Sequence, residues 1–308
     1  MSRRVHDAVA GSYNSGTGII AEKNRRVAAS LAQRMAMRAG AVETVDLGVG
    51  DGAMLALLLD LGIPSRMTGL DVSPAMLRLA AARVPVTPVE APAQNALQVL
   101  PPGSFDLVLA HFIFAYVDRA ALLSQARALL APDGVLSLVT STEEGSKAFH
   151  AGVDRLFRRS RHPLKRAIGL ATERAFARSN VPKRFADLER DIASAGLRIL
   201  RRETLRTPVI FTGPEDAYRF GIEEGWAANL LDMPNVPLWM ARRIAKWGAC
   251  QADYPFDFEH VVEMLEIGLA PSGESAGQPE GRATAKGKSE EAAAIESTRA
   301  TGAESSGP

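Results

Sequence analysis

Glycines at 48, 50 and 52 in VDLGVGDGAML, residues 45–55, separate one apolar run from the next. Glycines at alternate positions let a chain turn sharply with its amides exposed, and let a ligand approach where a Cβ would stand. Asp71 ends the following apolar run, LD in MTGLDVS, where a carboxylate can accept from both hydroxyls of a ribose. Turn and acid together predict a site for an adenosine-containing ligand. The glycines alone leave the ligand undecided, because Gly48, Gly50 and Ala53 also satisfy the dinucleotide pattern G-x-G-x-x-G/A. Two features favour a cationic ligand over a pyrophosphate. Asp46 stands inside the turn, where a carboxylate repels phosphate and attracts a charged amino group, and Gly52 adds a third glycine.

These residues need a parallel sheet to bring them to one edge. Short apolar runs at about 44–47, 67–71, 86–89, 105–110 and 135–140 alternate with helical patterns at about 53–61, 74–83 and 119–130. The punctuation agrees: Ser73 caps a helix that has Pro74 at its first position, Gly62 follows another, and Asp118 caps a third. Pro85 and Pro88 put the 86–89 strand at the sheet margin. Beyond Thr140 a helical stretch is expected over about 145–195. Two strand-like runs follow, 197–206 and 209–211, which Pro208 would fold into a tight hairpin, and then helical patterns to about Leu269.

Four segments taken in order carry a resemblance. VDLGVGDG, LDVSPAMLRLA, QNALQVLPPGSFDLVLAHFIFAYV and ALLAPDGVLSLV resemble the successive motifs of the class I S-adenosylmethionine-dependent methyltransferases, over about residues 42–140. The remainder is similar to the methyltransferases that modify small molecules. The resemblance implies an α/β, three-layer Rossmann-like sheet of seven strands, the last antiparallel, with a helical substrate-covering insertion at about 145–195. It implies S-adenosyl-L-methionine as cofactor, with Asp46, Gly48, Gly50 and Gly52 at its methionine end, Asp71 on the ribose, and Val72 and Met76 beside the adenine. Asn95 and Ala96 fall where the family carries an aspartate and a small residue facing the adenine amino group, and an asparagine carbonyl can still accept that bond. Ala110 and His111 would meet the methionine portion. A segment before the first strand, AVAGSYNSGTGIIAEKNRRVA, would form a lid with Tyr13 near the methionine carboxylate or sulfonium. The implied division is a helical lid over 1–40, a methyltransferase domain over 41–270 and a tail over 271–308.

Methyl transfer from a sulfonium is an in-line displacement, so the protein mainly aligns the nucleophile, and a base is needed only for a hydroxyl or protonated amine. His111, at a strand end beside the turn, and His150, in the covering region, are the candidate bases, with Tyr13 and Tyr116 as further hydroxyls. Oxygen is the first expectation for the acceptor atom, with nitrogen and carbon open. No asparagine-proline-proline-aromatic tetrad follows the fourth strand, which weighs against amino-methylation of bases or glutamine. No histidine or carboxylate cluster has metal-ligand spacing, so no metal is expected.

A formal net charge of +1 provides no whole-molecule field for nucleic acid or an anionic membrane, and no run approaches the length of a membrane span. The single cysteine, Cys250, and the absence of an apolar stretch behind MSRRVHDAVAG fit a cytoplasmic protein. Lysine and arginine far outnumber acids over 145–206, which would suit an anionic or carrier-tethered acceptor. Phe220, Trp226, Leu230, Leu231, Met233, Trp239, Met240 and Trp247 can equally line an apolar acceptor pocket or form core. Residues 271–308 carry too few bulky apolar side chains to offset their ordering entropy and are expected to be disordered. Two rival functions share the glycine turn: an NAD(P)-dependent oxidoreductase, and a non-catalytic, cofactor-binding partner protein of methyltransferase fold.

Overall fold

The computed structural model describes residues 3–13, 18–38, 40–225, 228–233 and 235–271. The tail expectation, like Trp226, lies outside them. Seven strands form one sheet: β1 (Val42–Leu47), β2 (Ser65–Asp71), β3 (Val86–Glu90), β4 (Phe105–His111), β5 (Leu130–Thr140), β6 (Leu197–Phe211) and β7 (Phe256–Leu269). Their order is β3-β2-β1-β4-β5-β7-β6, with β7 running against the other six. The helices are α1 (Arg3–Val9), α2 (Ile19–Met35), α3 (Ala53–Asp60), α4 (Pro74–Arg83), α5 (Arg119–Leu129), α6 (Lys147–Val153), α7 (Pro163–Ala177), α8 (Phe185–Ser194), α9 (Pro214–Tyr218) and α10 (Leu238–Ala249).

Period-two alternation sends successive strand residues to opposite faces and so makes three layers. Val108 and Ala110 of β4 pack with Leu122 and Leu129 of α5 and with Leu188 and Ile192 of α8. Leu107 and Leu109 pack on the other face with Leu31 of α2, Leu55 and Leu58 of α3 and Leu77 of α4. The caps form as the sequence requires: Ser73 accepts from the Met76 amide at 3.2 Å and Asp118 from the Ala121 amide at 2.8 Å. The strand carrying Pro88 lies at the margin.

The expected hairpin at Pro208 does not exist. Residues 197–211 run as one edge strand, in which proline's missing amide costs no ladder bond, and its partner is β7, where helical patterns were expected. Acids at 259, 263 and 266 hid β7, because they repeat at helical spacing. In the sheet Glu263 takes Arg202 at 2.9 Å and Thr204 at 2.9 Å, while Glu266 takes Ser30 at 2.5 Å together with Arg34. Buried carboxylates paired in this way are tolerated in an interior strand. Lys23 of α2 is likewise buried, donating to Thr207 at 2.8 Å and to the His260 carbonyl at 3.0 Å, and it ties α2 to the β6–β7 pair.

The expected 145–195 helix is three helices, with a π-helical turn over residues 154–158. The helical patterns expected after the hairpin stop at β7, and those of the β6–β7 connection form a second cover: α9, a π-helical turn over residues 219–223, and α10. Val5 and Val9 of α1 pack against Met76, Ile222, Leu231 and Ala241, so the N-terminal helix joins this second cover above the carboxyl ends of β1 and β2.

Candidate cofactor and acceptor site

β1 and β4 are neighbours whose following helices leave to opposite faces, which opens a crevice at their carboxyl ends, the switch point where open α/β sheets bind ligands. A cavity of about 210 Å³ occupies it, lined by Gly48, Gly50, Asp71, Val72, Met76 and His111, together with Tyr13, Ile113 and Tyr116. The Gly48 and Val49 amides both turn back to the Leu70 carbonyl, at 2.9 and 2.8 Å. Gly48 has φ +116°, and a Cβ there would stand 2.9 Å from Ile113 Cδ1, so only glycine keeps this wall open. Asp71 accepts from the Gly50 amide at 3.0 Å and the Ser73 amide at 2.9 Å. Its carboxyl is raised from the usual range by burial, with those backbone bonds opposing the rise.

Asp46 is 3% exposed, and its Oδ1 has no hydrogen-bond partner among the described residues. Burial, followed by the charges of Asp71 and Asp51, pushes its carboxyl up to about 8. Asp51 itself is balanced by Arg83 at 2.6 Å. A buried acid without a partner, beside a second acid, is a place for a cation. Among the described residues no lysine or arginine lines the cavity, and burial lowers its two histidines to about 4 at His6 and about 3 at His111. Two phosphates of a dinucleotide would face carboxylates without a counter-charge. An adenosine joined to a cationic methionine would find Asp71 as a ribose acceptor, apolar walls at Leu70, Val72 and Met76, and the buried Asp46 behind the lining, so the residues fit S-adenosylmethionine.

Several expected residues lie elsewhere. Asn95 is exposed and outside the lining, and Gln94, one position earlier on the same 3₁₀ turn, joins it instead. Ala96 and Ala110 are packed in the core beneath the site, Gly52 is backed by Ala80 of α4, and Asp46 is buried behind the lining rather than in it. His111 lines the cavity, but its Nε2 is 2.9 Å from Ser137 Oγ, and burial leaves the imidazole neutral and a poor proton acceptor near pH 7. Tyr13 is packed against Gly50 and Gly225, with its hydroxyl held far above the usual range by burial, then by Tyr116 and the three nearby aspartates. Phe112, which also lines the cavity, has φ +56°, a costly conformation for an aromatic residue that points the chain after β4 across the pocket.

Two further spaces adjoin the first. A cavity of about 80 Å³ shares Tyr13, Phe112 and Tyr116 with it and adds Glu224 and His260. A cavity of about 590 Å³ shares Ala115, Tyr116, Ser141 and Val181 with that one and is lined by Glu143, Lys147, His150, Asp154, Arg158 and Glu173 of the first cover. Tyr116 borders all three, with its hydroxyl pushed up to about 12 by burial. His150 is lowered by burial, against the pull of Glu143. The expected basic face is paired in part. Arg158 and Arg159 share Asp154, Arg158 also takes Glu173, and Arg202 and Arg206 pair with Glu263 and Glu259. Glu224 and His260 carried no local signal, since only the second cover and β7 bring them to the site. Among the described residues no helix is long and apolar enough to cross a membrane, and no group of three or more histidine, cysteine or acidic side chains could hold a metal ion.

A family model described as a methyltransferase domain matches residues 45–136, the segment that builds this crevice. The trans-aconitate 2-methyltransferase of Methylobacterium radiotolerans is 35% identical over 118 residues, 38% of this chain and 44% of that protein. The enzyme of the same name from an Enterobacter species is 38% identical over 115 residues, 37% of this chain and 44% of that protein. The matches span less than half the length of these curated relatives. Among solved structures, a methyltransferase candidate from Bacillus halodurans superposes with a TM-score of 0.52 at 15% identity, covering 78% of this chain and 97% of that one. The YcgJ protein of Bacillus subtilis superposes with a TM-score of 0.50 at 14% identity, over 80% and 99%. Residues 45–136 thus carry a methyltransferase domain, within the Rossmann-like three-layer fold of the class I S-adenosylmethionine-dependent methyltransferases.

Proposed function

We infer that the protein transfers a methyl group from S-adenosylmethionine to an oxygen of a small-molecule acceptor. The observation that carries this reading is the partnerless buried oxygen of Asp46, behind the Gly48 turn and next to Asp71. A carboxylate pair without a cation suits a sulfonium and an ammonium and opposes a pyrophosphate, which disfavours the oxidoreductase rival. When bound, the cofactor supplies an electrophilic methyl group. The chain's part is to hold the methionine end at Asp46, the ribose at Asp71 and the adenine between Val72, Met76 and Gln94, and to exclude water with Tyr13 and Tyr116.

The acceptor would enter the 590 Å³ cavity and present its nucleophile at the 80 Å³ joint, between Tyr116 and Glu224. His150 lines the outer cavity and serves better as a hydrogen-bond donor to the acceptor than as its base. Asp154 and Glu173 are engaged by arginines, so Lys147 and Glu143 are the lining charges outside ion pairs among the described residues. That balance suits a neutral or singly charged acceptor better than a polyanion. The relatives named for trans-aconitate support a carboxylic oxygen, with Lys147 as its counter-charge.

The test is a thermal-shift and calorimetric comparison of S-adenosylhomocysteine with NAD and NADP, followed by transfer of labelled methyl from S-adenosylmethionine to a panel of small acids and alcohols. Binding of S-adenosylhomocysteine alone, with label transferred to an acid, is expected. Stabilisation by NAD alone would overturn the reading, and binding without transfer to any acceptor would favour the non-catalytic rival.

A further inference from the structure

A fourth space, of about 150 Å³, lies between the two covers, away from the cofactor crevice. One wall is aromatic, from Phe149, Phe157, Phe211, Phe220, Tyr254 and Phe256. The rest of the lining is mostly small, from Ala217, Gly221, Ala245, Gly248, Ala249 and Ala252. Thr172 of α7 borders both this space and the 590 Å³ cavity, and α6 with the π turn after it separates them, turning Lys147, His150 and Asp154 to one side and Phe149 and Phe157 to the other.

Two observations set the space apart from incomplete packing. Protein interiors fill voids with side chains, because an unfilled apolar void forfeits dispersion contacts. Gly248 sits inside α10, where glycine costs roughly 1 kcal/mol relative to alanine, yet a Cβ there would have 4.0 Å to its nearest neighbour, Phe157. Neither backbone conformation nor crowding requires that glycine, and its evident effect is to leave the space open. Both π-helical turns of the described chain contribute lining, Phe157 from one and Phe220, Gly221 and Ile222 from the other. Such turns are rare and occur mostly at functional sites.

We propose that this space is the apolar subsite of the acceptor: it receives a benzene-sized aryl or branched-alkyl end, while the polar end that takes the methyl group lies in the adjoining cavity. The proposal rests on the methyltransferase reading for the identity of the polar end. An apolar cavity of roughly 150 Å³ holds a ring the size of benzene, which bounds the group. Thr172 borders both this space and the 590 Å³ cavity, and Tyr116 borders that cavity and the cofactor crevice, so the three lie side by side. The acceptor class is then an arylalkyl or branched-chain acid rather than the compact tricarboxylate after which the relatives are named.

The test uses the full chain with two kinds of probe. Toluene alone should raise the melting temperature of the wild type. Gly248→Leu, which fills the space, should abolish that response while retaining its fold and its affinity for S-adenosylhomocysteine. With S-adenosylhomocysteine bound, calorimetry with phenylacetate to 5-phenylpentanoate should find a member that binds about 30-fold or more tighter than the unsubstituted acid of equal chain length, since a buried phenyl removes a large apolar area from water. Gly248→Leu should erase that preference. No toluene response in the wild type, equal affinities for aryl and unsubstituted acids, or a preference that survives Gly248→Leu would each overturn the subsite. Failure of S-adenosylhomocysteine to bind would instead overturn the methyltransferase reading, and the toluene response would still report on the cavity. Gly248→Ala, with a smaller added volume, provides a second variant should the leucine disturb α10.

Discussion

The Gly50 amide donates to Asp71 Oδ2 at 3.0 Å, so the glycine turn after β1 and the acid at the end of β2 are locked together across the crevice before any ligand arrives. With the Ser73 amide on its other oxygen, Asp71 is aimed at the cavity by two backbone bonds. Replacing it with alanine is expected to weaken S-adenosylhomocysteine binding by about 10- to 100-fold, the range for loss of a charge-assisted hydrogen bond. Calorimetry on a variant shown to be folded by circular dichroism measures this. Unchanged affinity would remove the residue from the ribose.

Asp46 supports a prediction about pH. The folded protein holds its proton to about pH 8, whereas an unfolded chain releases it near pH 4. The folded state therefore binds more protons between these values, and this group's contribution to stability falls as pH rises through that window. Asp46→Asn should match the wild type in melting temperature near pH 4 and exceed it by several degrees at pH 8. A cationic ligand that draws Asp46 into its charged form should also release a proton on binding at pH 7, seen as a buffer-dependent enthalpy that Asp46→Asn abolishes. Identical pH profiles for the two proteins would show that Asp46 ionises normally.

Tyr13 of the N-terminal segment and Gly225 of the second cover form a steric pair. Gly225 has φ +88°, and a Cβ there would enter the Tyr13 ring. Gly225→Ala should cost about 1 to 3 kcal/mol, as overpacking does, weaken S-adenosylhomocysteine binding, and speed proteolysis at Arg3 and Arg4 of α1. If the clash is the cause, Gly225→Ala should cost much less on a Tyr13→Ala background. Additive losses in that double-mutant cycle would argue against it.

The arginines of the first cover and Lys147 should behave differently toward an acid. Lys147→Ala is expected to weaken binding of a phenylalkanoate by about 5- to 10-fold and flatten its salt dependence, while leaving the matching alcohol unaffected. Arg159→Ala, whose guanidinium is already engaged by Asp154 at 2.7 Å on an exposed surface, should change neither. An equal effect from both variants would mean that the cover acts as a diffuse basic field.

The crevice was legible in the sequence because its residues are local. Gly48, Gly50 and Asp71 lie at strand ends, where apolar periodicity and the demands of a tight turn leave few alternatives, and the alternation of strands and helices to Thr140 follows from short-range patterning. The same reasoning failed at β7, whose acids 259, 263 and 266 repeat like a helix face and take their partners from α2 and β6, far away in the chain. It placed Asn95 where Gln94 stands, because a 3₁₀ turn changes which of two adjacent side chains faces inward. It could not see that Glu173 on α7 reaches Arg158, nor that Glu224 and His260 reach the joint beside Tyr116. Those relations are made by packing two covers, from the β5–β6 and β6–β7 connections, over one sheet edge. Long-range pairing of charges and the volume left between helices depend on that packing, and no local pattern in the chain encodes either.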